Sequence, residues 1–385
     1  MKNNSDYSIV KLLPVLFSFF VMGFADIVGI SVSYVKKDFE LNDSLANLLP
    51  MLVFLWFAVC SLPVGIMMRK IGRKRTVLVS AVVTMIGMII PLIDYSFFMV
   101  LIAFALLGIG NTILQVSLNP LVMNVTRPNK LTSMLTLGQF IKAISSALGP
   151  VLAGFAAAYL GSWKFIFPFY AIVIAISFFW LISTPIREEK MPLLDNAAKT
   201  IGVLIKDKYL LALFSIIVLI VGFEVGLMTA VPKFFQESYQ LSLETGGYAC
   251  TLYFIARTIG TFGGAILLSK LPVRNFLIAS MVIGVSSFII FLFAPNTSIL
   301  FISLFIIGLA GANVFAIAFS SAIQYRADYA DGISAFMIMG VAGGALIPPL
   351  MGILADNSTQ QISLLIPLFA LIYILLTGVF ILKKQ

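Results

Sequence analysis

The chain has 385 residues, of which 61% are hydrophobic and 11% are charged. Soluble globular domains carry roughly 25% charged residues, so this composition excludes a water-soluble protein. The net charge of +9 does not predict a nucleic-acid partner, because the basic residues fall in short loops between long apolar runs.

A chain this apolar can be stable in lipid as a helical bundle or as a closed barrel. The apolar runs last about 20 residues rather than about 10 alternating ones, which predicts helices. The sequence therefore predicts an all-α membrane protein with twelve transmembrane helices. The predicted spans are 9–34, 45–68, 76–94, 97–124, 131–160, 164–184, 209–235, 243–269, 274–294, 298–326, 331–355 and 362–382.

The distribution of loop charges predicts the orientation in the membrane. With the N-terminus inside, most loop arginines and lysines lie on the inner side, and the outer side keeps only Lys36, Lys37, Lys164 and Lys233. This bias predicts a multi-pass protein of the cytoplasmic (inner) membrane with both termini in the cytoplasm. The polar stretch 185–208 is predicted to be a cytoplasmic linker between two six-helix halves, residues 1–184 and 209–385.

The two halves also resemble each other at an offset near 200 residues. IGRKRTVLVS (71–80) aligns with LPVRNFLIAS (271–280), and LLGIGN around Gly108 aligns with IIGLAG around Gly308. This similarity indicates a duplicated six-helix unit with two parallel, pseudo-symmetric halves. In such folds the substrate site lies near the bilayer midplane where the halves meet.

Amide side chains interrupt the fourth span at a helical spacing. Asn111, Gln115 and Asn119 are separated by four residues each, which stacks them on one helix face. A buried amide without a partner costs a few kcal/mol, roughly, so we expect these amides to line a water-filled cavity. Gln139 and Asn313 are predicted to add to the same polar surface.

Charged residues away from the ends of the spans are few, and the candidates are Asp26, Lys142, Glu224 and Arg257. One interpretation is two structural ion pairs, Asp26–Lys142 and Glu224–Arg257, that hold helices together. The other is that these groups line the central cavity, where Asp26 and Glu224 exchange protons during transport.

The charges of these ionisable residues sum to zero, which favours a neutral, hydroxyl-rich solute such as a sugar. Amides both donate and accept hydrogen bonds, so they suit sugar hydroxyls, and Tyr253 could either stack on a sugar ring or pack in the core. The predicted substrate-binding residues are Asn111, Gln115, Asn119, Gln139, Lys142, Tyr253, Arg257 and Asn313.

Other functions remain open at this point. Lys142 and Arg257 could instead grip the carboxylate of a sugar acid or another organic anion, and proton-driven efflux of apolar compounds is a further alternative. An enzyme is not expected, because the chain has no histidine and shows no zinc-binding HExxH motif or phosphate-binding loop. We expect no catalytic residues, metal or cofactor, and a monomer whose partners are the solute, protons and the lipid bilayer.

GIMMRKIGRKR (65–75) is similar to the loop signature between the second and third helices of the major facilitator superfamily, although Arg69 stands where that signature usually has an acid. More narrowly, the chain resembles the fucose–proton symporter group of sugar transporters. The matching stretches are LQVSLNPLV (114–122), LTLGQF (135–140), VGFEV (221–225), FIARTIGT (254–261) and GISAFMIMGVAGGALIPPLMGILAD (332–356).

The resemblance implies a twelve-helix fold and sugar uptake driven by protons, with Gln139, Glu224 and Arg257 at positions that match the motifs. The chain also departs from that group. Gln115 replaces an acid on the fourth helix, the group's first-helix acid lies about one turn beyond Asp26, and Lys142 replaces a neutral polar residue. Either Asp26 and Glu224 carry the proton here, or this chain couples transport differently.

Overall fold

The computed structural model of the chain describes residues 9–41, 45, 48–188, 206–241 and 243–382, and all regular elements within these ranges are helices. Twelve of them are long and apolar enough to cross a membrane, which confirms the predicted number of spans. Residues 189–205 of the predicted linker lie outside the described ranges. The spans are α1 Ile9–Ile27, α2 Leu48–Ile71, α3 Arg73–Ile93, α4 Phe97–Val125, α5 Pro128–Tyr159, α6 Trp163–Ser183, α7 Lys208–Tyr239, α8 Tyr248–Leu267, α9 Val273–Leu292, α10 Thr297–Tyr325, α11 Ala327–Ala355 and α12 Gln360–Phe380.

Several of these spans change their helical geometry along their length. The last part of α1, Gly23–Ile27, is a 3₁₀ turn that contains Asp26, and the chain continues as an α-helix over Val28–Asp38. The tenth span is interrupted between Gly311 and Val314, and the eleventh contains a 3₁₀ turn at Gly340–Ala342. Such breaks leave backbone groups that neighbouring helices must satisfy, so they often mark polar positions in a bundle.

The chain folds into two compact units. Unit 1 comprises Met1–Met134, Gly138–Gly202 and Ile323–Met339, and unit 2 comprises Leu135–Leu137, Val203–Ala322 and Gly340–Gln385. Unit 1 thus contains most of the N-terminal half together with the segment where α10 ends and α11 begins.

In unit 1, α4 is the most buried span and packs against both α2 and α3. A Cβ atom at Gly108 would lie 2.7 Å from the carbonyl oxygen of Val53 on α2. A Cβ atom at Gly110 would overlap the hydroxyl of Thr84 on α3. Small residues at these two positions therefore allow the helix backbones to approach closely.

Unit 2 repeats these contacts at an offset of 200 residues. A Cβ atom at Gly308 on α10 would lie 2.7 Å from the carbonyl oxygen of Tyr253 on α8. The counterpart of the Gly110–Thr84 contact is Ala310 facing Gly284 on α9, where the glycine has moved to the other helix. The internal repeat found in the sequence is therefore present in the packing of each unit.

The helix that follows Asp26 is fixed at its far end by a cluster around Asp38. The Tyr95 hydroxyl and the Trp163 indole N–H both donate to the same Asp38 carboxylate oxygen, at 2.6 and 2.9 Å. The Lys164 ammonium lies 4.0 Å from the centre of the Tyr95 ring. Burial, reinforced by the nearby carboxylate, raises the pKa of Tyr95, so the phenol stays a hydrogen-bond donor at neutral pH.

Candidate functional site

The first candidate charge cluster lies in unit 1, where α1 meets α5. The Lys142 ammonium lies 3.8 Å from Asp26 Oδ2, and the Ser146 hydroxyl donates a hydrogen bond to the same oxygen at 2.5 Å. The Asp26 side chain is 42% exposed and that of Lys142 is 21% exposed. The carboxylate is thus held by one hydrogen bond and one ion pair from the same helix, and part of its surface is not covered by protein.

The close approach of these two helices depends on Gly23, one turn before Asp26. A Cβ atom there would lie 2.6 Å from Ser145 Cβ and 2.7 Å from the carbonyl oxygen of Lys142. Any larger residue would push α1 away from α5 and lengthen the distance from Asp26 to its donors.

The second charge cluster lies in unit 2, between α7 and α8. Arg257 Nε lies 2.8 Å from Glu224 Oε1, with side-chain exposures of 27% and 14%. The Tyr253 hydroxyl donates to the same Glu224 oxygen at 3.5 Å, and the Tyr253 side chain is fully buried. The structure therefore brings together the two residues of each hypothesised ion pair, and it places Tyr253 beside Glu224.

The acids and the bases follow different rules within the repeat. Asp26 and Glu224 both lie on the first span of their halves, and their separation along the chain is two residues less than the 200-residue offset of the repeat. The bases do not correspond, because Lys142 lies on the fifth span of its half and Arg257 on the second span of its own. The two units thus hold similar carboxylates with cations from non-equivalent helices.

The amides of α4 are all buried. Asn119 donates from Nδ2 to the carbonyl oxygen of Gln115, and its Oδ1 has no partner among the described residues. The side chains of Asn111 and Gln115 also make no hydrogen bond to a described residue, although each keeps about 5–6% of its surface exposed. Such groups are expected to bind water or solute, because an unsatisfied buried amide is costly.

The two remaining amides have different environments. Gln139 is half-buried on α5, three residues before Lys142. Asn313 is buried at the break in α10, and its Nδ2 donates to the carbonyl oxygen of Gly260 on α8 at 2.9 Å. The Asn313 amide lies flat against Gly264, where a Cβ atom would overlap it. Asn313 therefore joins α10 to α8 within unit 2.

A further polar cluster lies in unit 1 and is centred on Arg73 at the start of α3. This cluster was not predicted from the sequence. Arg73 is buried, its Nε donates to Asp331 of α11 at 2.7 Å, and its Nη1 donates to Asn124 of α4 at 2.7 Å. Asn124 in turn donates to the carbonyl oxygen of Arg187 at 3.0 Å. Arg73 thus connects residues that are up to 258 positions apart in the chain.

The start of α3 is capped by a carboxylate from the beginning of the linker. Glu188 accepts hydrogen bonds from the backbone N–H groups of Arg73 and Lys74, at 2.6 and 2.7 Å. Gly72 has φ of 92°, and a Cβ atom there would lie 2.7 Å from Glu188, so the position requires glycine. The GRKR residues 72–75 mark this place in the sequence, but nothing in the sequence indicated that Asp331 would contact Arg73.

No group of three or more histidine, cysteine, aspartate or glutamate residues that could hold a metal occurs among the described residues. The polar groups described above form hydrogen bonds and three ion pairs, Asp26–Lys142, Glu224–Arg257 and Arg73–Asp331. That the amides and the first two of these pairs line one shared cavity stays a prediction.

The family model described as Major Facilitator Superfamily matches residues 15–248 and 213–385. A glucose/galactose transporter of Brucella abortus biovar 1 (strain 9-941) is 26% identical over 379 residues, covering 94% of this chain and 91% of that protein. FucP, the E. coli fucose:proton symporter, has a crystal structure in the outward conformation that matches with a TM-score of 0.84 at 16% identity, covering 98% of this chain and 99% of that chain. The proton:xylose symporter XylE, bound to 6-bromo-6-deoxy-D-glucose, matches with a TM-score of 0.74 at 14% identity, covering 98% and 97%.

Proposed function

The chain belongs to the major facilitator superfamily, and from that premise we propose that it carries a neutral sugar across the cytoplasmic membrane in symport with protons. Alternating access of the two halves moves the solute. Asp26 and Glu224 carry or relay the proton, and the amides of α4 with Gln139 bind the sugar hydroxyls.

The observation that carries this proposal is the one-to-one balance of charge. The two cations that lie near the middle of a span already have carboxylate partners, at 3.8 Å for Lys142 and 2.8 Å for Arg257. An anionic solute would have to displace those carboxylates, whereas a neutral sugar needs only the unsatisfied amides. The B. abortus relative is a glucose/galactose transporter, which supports the same solute class.

Proton coupling is supported by the environment of Asp26. Its carboxylate is paired with a cation, and 42% of its side-chain surface is not covered by protein, which leaves room for water wherever that surface faces the cavity. FucP and XylE, which share the fold, are both named as proton symporters. The loop charges support a cytoplasmic location of both termini, and on that orientation the Arg73–Asp331 contact lies at the cytoplasmic ends of α3 and α11.

The solute class can be tested with purified protein in proteoliposomes. An inward proton gradient should drive accumulation of labelled D-galactose or D-glucose, and unlabelled neutral sugars should compete with that uptake. Inhibition by galacturonate or other acids alone would contradict the proposal and favour the carrier for acidic solutes. Transport of apolar dyes without sugar competition would favour an efflux pump.

A further inference from the structure

The hydroxyl of Ser146 has two possible acceptors within hydrogen-bond distance. Its Oγ lies 2.5 Å from Asp26 Oδ2 and 3.0 Å from the backbone carbonyl oxygen of Lys142. A serine hydroxyl has one hydrogen to donate and two lone pairs that accept. It can therefore serve only one of these two acceptors at a time.

The protonation of Asp26 decides which acceptor is served. When the carboxylate is ionised, the hydroxyl donates to it in a charge-assisted bond, for which an O···O distance of about 2.5–2.7 Å is typical. When the carboxyl is protonated, its own O–H can donate to Ser146 Oγ, and the hydroxyl can turn to the carbonyl of Lys142. The Asp26 carboxyl and the Ser146 hydroxyl therefore each keep a hydrogen-bond partner in both states.

We propose that Ser146 is a positioning residue for proton exchange at Asp26, which reverses the direction of its hydrogen bond when the carboxyl gains or loses a proton. The proposal rests on the proposed role of Asp26 in proton coupling. The Ser146 hydroxyl can hydrogen-bond to both the ionised and the protonated carboxyl without a change in the position of the Asp26 side chain.

The surroundings of Asp26 define which groups compete with this hydroxyl. On α5 the charged neighbour is Lys142, whose ammonium is 3.8 Å away. On α6 the titratable neighbour is Tyr170, which is buried, stacks on Phe24 and interacts electrostatically with Asp26. Neither residue donates the short hydrogen bond to Asp26, which comes from Ser146. Removal of the Ser146 hydroxyl should therefore destabilise the ionised form of the carboxylate.

The adjacent Ser145 supplies a matched control. It lies on the same helix and is buried, and its hydroxyl has no partner among the described residues. Ser145→Ala and Ser146→Ala delete the same atom one position apart. Ser146→Thr keeps a hydroxyl at the tested position and serves as the conservative variant.

The test is an infrared titration of the purified protein, in which the band of the protonated Asp26 carboxyl is assigned by its loss in Asp26→Asn. Ser146→Ala should raise the pH at half-ionisation by about one pH unit, because a donor to the charged form is lost. Ser146→Thr and Ser145→Ala should titrate like the parent protein.

An unchanged midpoint in Ser146→Ala would overturn the proposal, and so would an equal shift in Ser145→Ala. Failure of Ser146→Thr to restore the parent midpoint would also count against it, because the hydroxyl would then not be the cause. The titration needs neither sugar nor gradient. A protein that lacks proton-driven uptake would therefore refute the proposed function separately.

Discussion

Single glycines decide where polar side chains can lie against a helix in this protein. In unit 2 the Asn313 amide occupies space that a Cβ atom at Gly264 would fill, while Gly263 next to it has no atom within 4 Å of the same test position. Substitution of either glycine by alanine changes the helix propensity equally, but only the substitution at Gly264 disturbs packing.

We predict that Gly264→Ala destabilises the protein by about 1–3 kcal/mol, the usual cost of overpacking a close helix contact. Gly263→Ala should be neutral or slightly stabilising, because alanine favours the helix and meets open space. Thermal unfolding of both variants in detergent measures the difference. Equal melting temperatures for the two variants would show that the Asn313 contact does not restrain α8.

The Glu224–Arg257 pair allows a second prediction at this scale. Removing one charge of a buried pair leaves its partner uncompensated, a cost of about 3–5 kcal/mol when burial is deep. Because Arg257 is 27% exposed and Glu224 14%, we expect a smaller loss, about 1–3 kcal/mol, for Arg257→Gln. The double variant with Glu224→Gln should recover part of that loss. A double variant less stable than either single variant would contradict the pairing.

At the scale of elements, the start of α3 is held by partners from α4, α11 and the first residues of the linker. The sequence marked this place through its GRKR motif, and it showed that the usual acid was absent at Arg69. It could not show that the Asp331 carboxylate would pair with Arg73, because a contact between residues 258 positions apart leaves no local sequence pattern.

The Arg73–Asp331 contact predicts a specific rescue. Arg73→Asp alone places two carboxylates together in a buried position and should strongly reduce transport or expression. Combining it with Asp331→Arg restores one charge of each sign, so the double variant should recover part of the activity. Uptake by proteoliposomes, normalised to folded protein, measures this. Equal loss in the single and double variants would mean that the ion pair itself is not required.

Helix breaks show the same limit of prediction. The positions of the spans followed from hydropathy, and the bounds in the structure agree to within a few residues at most ends. The 3₁₀ turn that contains Asp26 and the break beside Asn313 could not be predicted, because they depend on contacts with neighbouring helices. The glycine and asparagine residues at these places permit a break in the helix, but they do not predict one.

At the scale of the whole molecule, the duplication was the most informative pattern in the sequence. It predicted equivalent packing in the two halves, and the contacts of Gly108 and Gly308 agree at an offset of 200 residues. It also placed an acid on the first span of each half. It gave no information about the cations, which come from non-equivalent spans, and Ser146 carried no signal because serine is common in such helices.

The measurement that tests the account most directly compares two modes of sugar transport in Asp26→Asn proteoliposomes. Exchange of labelled for unlabelled sugar needs binding and alternating access but no net proton movement. Accumulation against a sugar gradient needs net proton movement as well. The account predicts that Asp26→Asn keeps exchange near the parent rate and loses proton-driven accumulation. Undiminished accumulation under the same proton gradient would contradict it.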